Sequence, residues 1–144
     1  THSFPTRRSS DLGPVTDRQW WHANNFLDIV RQTLKAYKPG ITPSSLAEEM
    51  IGLADEGGYS DYMVPGFEHG IGLMGDEWRI GMNDGPFPYW TNPDHVYSEG
   101  ELLICAMQYA CPEENIGFRY ENPIVITKDG CEELSKYPLS IDEI

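Results

Sequence analysis

The sequence predicts an α+β fold, two helices followed by strands. Three observations predict it. Residues 16–58 hold two capped stretches with apolar residues at three- and four-residue steps. Beyond Tyr59 the chain turns to short apolar runs punctuated by Gly, Pro and aromatics, and no repeat or linker divides residues 13–144. The 144 residues suit one domain able to bury a core, and 40% hydrophobic with 12% aromatic content marks a folded chain.

Each element has its own signal. Thr16-Asp17-Arg18-Gln19 fits a capping box, in which Thr16 accepts from a backbone N–H one turn on and Gln19 reaches back. Trp20, Ala23, Leu27, Val30 and Leu34 then line one helical face, and Lys38-Pro39-Gly40 stops the helix near Tyr37. Thr42 caps a second helix with Pro43 in its first turn. Leu46, Met50, Leu53 and Ala54 form its stripe, and Gly57-Gly58 ends it. Residues 102–109 and 124–127 read as strands, and Lys128-Asp129-Gly130 as a turn before a strand at 131–134. Residues 78–98 read as a long ordered loop, whose Trp78, Phe87, Tyr89 and Trp90 pack or line a pocket.

Ten Lys and Arg against 23 Asp and Glu give a net charge of −13. Such acidity argues against nucleic acid or an anionic membrane as partner, since both need clustered Lys/Arg. Cys105, Cys111 and Cys131 show neither CxxC nor Cys/His zinc spacing, and read as reduced thiols of a cytoplasmic protein. His22 and His95 read as surface residues. The start of the chain stands apart: "HSFPTRRSSDL", His2 to Leu12, can be encoded by a string resembling the end of a short-read sequencing adapter. Residues 1–12 are therefore expected to be a non-native leader that takes no part in the fold. On that expectation the natural sequence before about Gly13, with any signal peptide, lies outside this chain.

Two stretches carry chemistry. In "GFEHGIGLMGDEW", residues 66–78, small neighbours let the backbone bring the His69 imidazole into a tight site. Alone, His69 reads either as a structural or surface histidine or as a metal ligand. In "GFRYENPIVITKDG", residues 117–130, Arg119 and Glu121 lie two residues apart, on one face of a strand, where an ion pair is the simplest reading.

Taken together and in order, these stretches resemble the pita-bread metallohydrolases: Xaa-Pro aminopeptidase, prolidase, methionine aminopeptidase and creatinase. "GPVTDRQ" ahead of the first helix and "KPGIT" at the start of the next resemble the family's paired helices. "HGIGL" resembles its metal-histidine loop, and "GFRYENPIVITKDGCEEL" its terminal G-x-R-x-E segment. The resemblance implies a truncated pita-bread fold, two N-terminal helices and then a mainly antiparallel curved sheet. Residues 13–144 would be the C-terminal portion of the catalytic domain. It further implies an Xaa-Pro peptidase-like hydrolase acting on a peptide or small-molecule substrate, and a homodimer as the full-length protein. Two divalent ions (Mn, Co, Fe or Zn) would activate a shared water against a peptide or related C–N bond. By the same resemblance His69 is the metal histidine, Glu121 the final metal-bridging glutamate and Arg119 the arginine supporting the carboxylates. Two metal-binding aspartates would lie upstream of Gly13.

Three positions depart from the family pattern. Ala106 stands where a second glutamate is usual, and Gln108, on the same strand face, offers an amide oxygen nearby. Asp76, followed by Glu77, replaces the catalytic histidine, either to shuttle protons or to balance charge. Glu68 fills a normally small position directly before His69 and would substitute for the lost carboxylate if the loop twists. Three readings remain open: a metallohydrolase whose fragment is inactive, a binding protein with a degraded metal site, and a creatinase- or lyase-type relative.

Overall fold

A computed structural model describes residues 14–64, 66–72, 75–77 and 95–140. Helix α1, Asp17–Ala36, begins at the expected capping box. The Thr16 hydroxyl accepts from Gln19 N at 3.2 Å, and the Gln19 side chain accepts from Thr16 N at 2.8 Å. Its buried face is His22, Ala23, Phe26, Leu27, Ile29, Val30 and Thr33. Trp20 and Leu34 are only half-buried, so the inward stripe is rotated from the one the apolar residues suggest. The expectation that His22 is a surface residue is corrected: it is fully buried, in line with Phe26, Ile29 and Thr33 on the inward face. His95 is half-buried, its Nε2 2.6 Å from Glu101 Oε1.

Helix α2, Pro43–Glu56, is capped by Thr42, whose hydroxyl accepts from Ser45 N at 3.2 Å. Leu46, Ala47, Met50 and Ala54 face the core, whereas Leu53 lies on the flank of that stripe and is exposed. A short 3₁₀ turn, Ser60–Tyr62, leads into the sheet.

Among the described residues six strands follow: β1 Met63–Val64, β2 Glu68–Gly72, β3 Gly75–Glu77, β4 Leu102–Cys111, β5 Ile116–Ile126 and β6 Cys131–Glu133. Their order is β3-β2-β4-β5-β6, all antiparallel, and β1 also pairs with β4. Since β5 runs along one edge of β4 from Leu102↔Val125 to Cys111↔Ile116, β1 and β2 share the other edge. Gly66, at φ 107°, turns the chain between them in a conformation that L side chains rarely adopt. A second 3₁₀ turn, Pro112–Glu114, with Asn115 left-handed at φ 53°, closes the β4–β5 hairpin. Strand β5 is longer than the expected 124–127, because β4 pairs with it residue by residue.

The sheet has two unlike faces. Leu103, Cys105, Met107 and Tyr109 of β4, with Ile124 and Ile126 of β5, point toward α1 and α2 and form the core with Phe26, Ile29, Val30, Tyr37, Leu46 and Met50. Ile104, Ala106 and Gln108 take the alternate positions, on the face away from the helices. Residues 78–94 of the expected loop, with Trp78, Phe87, Tyr89 and Trp90, lie outside the described residues. Tyr97 is buried, and its backbone joins Gly40 and Ile41 through two 3.0 Å hydrogen bonds. Among the described residues no helix is long and apolar enough to cross a membrane.

Candidate metal centre

Strand register assembles the site on the face away from the helices. Strand β2 sets His69 opposite Ile104, while β5 sets Glu121 opposite Ala106 and Arg119 opposite Gln108. Residues paired across antiparallel strands share a face, so β2, β4 and β5 present His69, Gln108, Arg119 and Glu121 to one side. His69 Nε2 lies 3.0 Å from Glu121 Oε1. The imidazole's Nδ1 is 2.9 Å from the Gly70 carbonyl oxygen, which can only accept, so Nδ1–H donates there. Nε2 then bonds the Glu121 carboxylate only when the imidazole carries a second proton, and a cation shared between the two would take that proton's place.

Arg119 holds the other carboxylate oxygen of Glu121, through Nε at 3.2 Å and an Nη at 3.0 Å. Partial burial pushes the Glu121 carboxyl up, but the His69 hydrogen bond and the Arg119 charge outweigh it, and it titrates below the ordinary value. Glu121 is therefore an ionised oxygen donor, beside a nitrogen donor that is 8% exposed.

Directly opposite Glu121 stands the Ala106 methyl group, which cannot ligate anything. Gln108 is half-buried two residues further along β4 on the same face. Glu68 does not join them, which corrects its expected role as a substitute ligand. It precedes His69 on a regular strand, pairs with Cys105 and points into the helix-covered core, where it is 3% exposed. There the Tyr37 and Tyr97 hydroxyls donate to its two oxygens. Burial raises its pKa from 4.5 to about 7, against the lowering by the two tyrosine bonds and with a further rise from Glu101. Asp76 and Glu77 pair through β3 with Ile71 and Gly70, which sets position 76 on the His69 face by register. Their side chains lie outside the described part of the molecule.

The family model described as metallopeptidase family M24 matches residues 5–128, beginning within the expected leader. The chain belongs to metallopeptidase family M24. An Xaa-Pro dipeptidase of Pyrococcus furiosus is 30% identical over 130 residues, 90% of this chain and 34% of that protein. The prolidase from Pyrococcus horikoshii OT3 superposes with a TM-score of 0.71 at 28% identity, over 88% of this chain and 34% of that one. An X-Pro aminopeptidase from Thermotoga maritima superposes at 0.70 with 25% identity, over 89% and 34%. The chain thus spans about one third of the length of these relatives. Its two helices and open antiparallel sheet are part of the pita-bread fold of the M24 peptidases.

M24 peptidases use divalent metals, and the donors on this face fit such an ion: one imidazole nitrogen and one carboxylate, already in contact. What the sequence left illegible is the pair Tyr37 and Tyr97. They lie 31 and 29 residues from Glu68, and no local pattern links them to it.

Proposed function

We propose that this chain carries part of the metal site of an Xaa-Pro peptidase-like hydrolase, with His69 and Glu121 as ligands. The observation that supports it is the 3.0 Å contact between His69 Nε2 and Glu121 Oε1, with Arg119 on the second carboxylate oxygen. When bound, Mn, Co, Fe or Zn ions supply Lewis-acid polarisation and a nucleophile usable at neutral pH. The chain's own residues prepare that site. Gly70 fixes the imidazole through Nδ1, Arg119 orients the carboxylate and keeps it ionised, and Gln108 offers a neutral oxygen on the same face. Asp76 and Glu77 are the proposed proton-handling groups. The 144-residue chain itself is proposed to be inactive, because Ala106 removes a carboxylate from the position facing Glu121.

One observation favours a second reading. A methyl group opposite Glu121 is also what a binding protein that has abandoned metal would carry. Bound Mn²⁺, counted by electron paramagnetic resonance in the chain and in His69→Ala, separates the two. Binding lost on substitution supports the hydrolase parent, and no binding in either supports the binding protein. Incubation with an Xaa-Pro dipeptide and Mn²⁺ should give no hydrolysis. Cleavage that disappears in His69→Ala would overturn the inactivity of this chain.

A further inference from the structure

Helix α1 and the β4–β5 turn meet at a cluster that the His69 site does not use. His22 on α1, Cys111 at the end of β4 and Glu114 in the following 3₁₀ turn each offer one donor atom, and these atoms lie within 4.8 Å of one another. His22 is fully buried, and its Nδ1 is 2.6 Å from the Tyr109 hydroxyl. Its Nε2 is buried with no hydrogen-bond partner. Glu114 Oε1 stands 3.4 Å from it, a stretched contact rather than a hydrogen bond. A buried polar nitrogen left in that state is costly, so the geometry leaves room for a missing partner. Cys111 is 2% exposed, while Glu114 reaches the surface and opens a path inward.

We propose that His22 Nε2, Cys111 Sγ and a Glu114 carboxylate oxygen bind a zinc-class divalent cation that ties α1 to the β4–β5 turn. Imidazole, thiolate and carboxylate form a mixed N/S/O set that suits Zn²⁺ and its spectroscopic substitute Co²⁺ better than Mg²⁺ or Ca²⁺. Bonds of about 2.0–2.3 Å place tetrahedral ligands about 3–4 Å apart, so donors now within 4.8 Å of one another close in by up to about 1–2 Å on binding. The outer partners are in place. The Tyr109 hydroxyl, 2.6 Å from His22 Nδ1, can accept from Nδ1–H in the tautomer that leaves Nε2 for the ion. Arg18 grips Glu114 through Nε at 3.0 and 3.1 Å and an Nη at 2.8 Å, fixing the carboxylate's direction. On binding, Cys111 gives its thiol proton to the solvent. The dication is then balanced by one thiolate and one carboxylate, and a water completes the coordination through the exposed Glu114 side.

The test is a Co²⁺ titration of the chelator-treated 144-residue chain. A thiolate-to-cobalt charge-transfer band should saturate at one equivalent, vanish in Cys111→Ser and survive in His69→Ala. Tyr109→Phe should weaken Co²⁺ binding by about 10–100-fold while keeping the band at saturation. Absence of the band, its persistence in Cys111→Ser or its loss in His69→Ala would each overturn the proposal. A second measurement needs no variant: Zn²⁺ should protect one cysteine from alkylation, and peptide mapping should find Cys111. Protection of Cys105 or Cys131 instead would overturn it equally.

Discussion

Glu68 and Glu121 are carboxylates carried by the same sheet, and they live in opposite environments. Glu121 faces away from the helices, shares its oxygens between His69 and Arg119, and titrates below the ordinary value. Glu68 faces the helices, is closed in by the Tyr37 and Tyr97 hydroxyls, and titrates at about 7 because burial disfavours its charge. Strand alternation alone separates them, since Glu68 and His69 are consecutive on β2. One carboxylate is thereby kept charged on the face proposed to hold a metal, and the other is tied into the core.

The largest effect should come from removing the buried carboxylate. Glu68→Leu keeps the volume but strips two buried tyrosine hydroxyls of their acceptor, at about 1–3 kcal/mol each. Urea unfolding at pH 5 should show a loss of about 2–5 kcal/mol; a change under about 1 kcal/mol would mean that the clamp contributes little.

Next comes a pH effect of defined sign. The native state holds a proton on Glu68 up to about pH 7, whereas the unfolded chain releases it near 4.5. Between those values the native state binds more protons, so stability from this group is full below about pH 4.5 and is lost as pH rises to about 7. The loss amounts to about 3 kcal/mol, and it should be absent in Glu68→Gln. A stability profile with the same slope in both proteins would contradict the assignment.

Glu121 should behave differently. Its pair with Arg119 is largely exposed, so Glu121→Gln should change stability by under about 1 kcal/mol while abolishing His69-dependent Mn²⁺ binding. A loss as large as that of Glu68→Leu would erase the contrast between the two faces.

Much of this frame was legible in the sequence. Capping boxes at Thr16 and Thr42 and the breakers after each helix are local signals, and both helices start where they indicate. The His69 and Glu121 stretches were ambiguous singly, and only their order and spacing together resemble the family's metal site. Strand β5 was underestimated because its first half pairs half-buried with exposed side chains, and only 124–127 carry a dense apolar run. Glu68 could reach the His69 face only if the loop twisted; the segment is a regular strand instead, and the tyrosines that hold Glu68 are remote in sequence. His22 was read as a surface residue on its polarity. The Tyr109 hydroxyl that makes its burial tolerable lies 87 residues away.

If the face away from the helices carries a metal half-site, what it lacks is one carboxylate at position 106. Ala106→Glu restores that group, because register sets the new side chain opposite Glu121. Mn²⁺ affinity measured by paramagnetic resonance should tighten at least about tenfold relative to the parent chain, or about 1.4 kcal/mol, and the gain should disappear when His69→Ala is added. An affinity unchanged by Ala106→Glu, or a gain that survives without His69, would contradict the half-site.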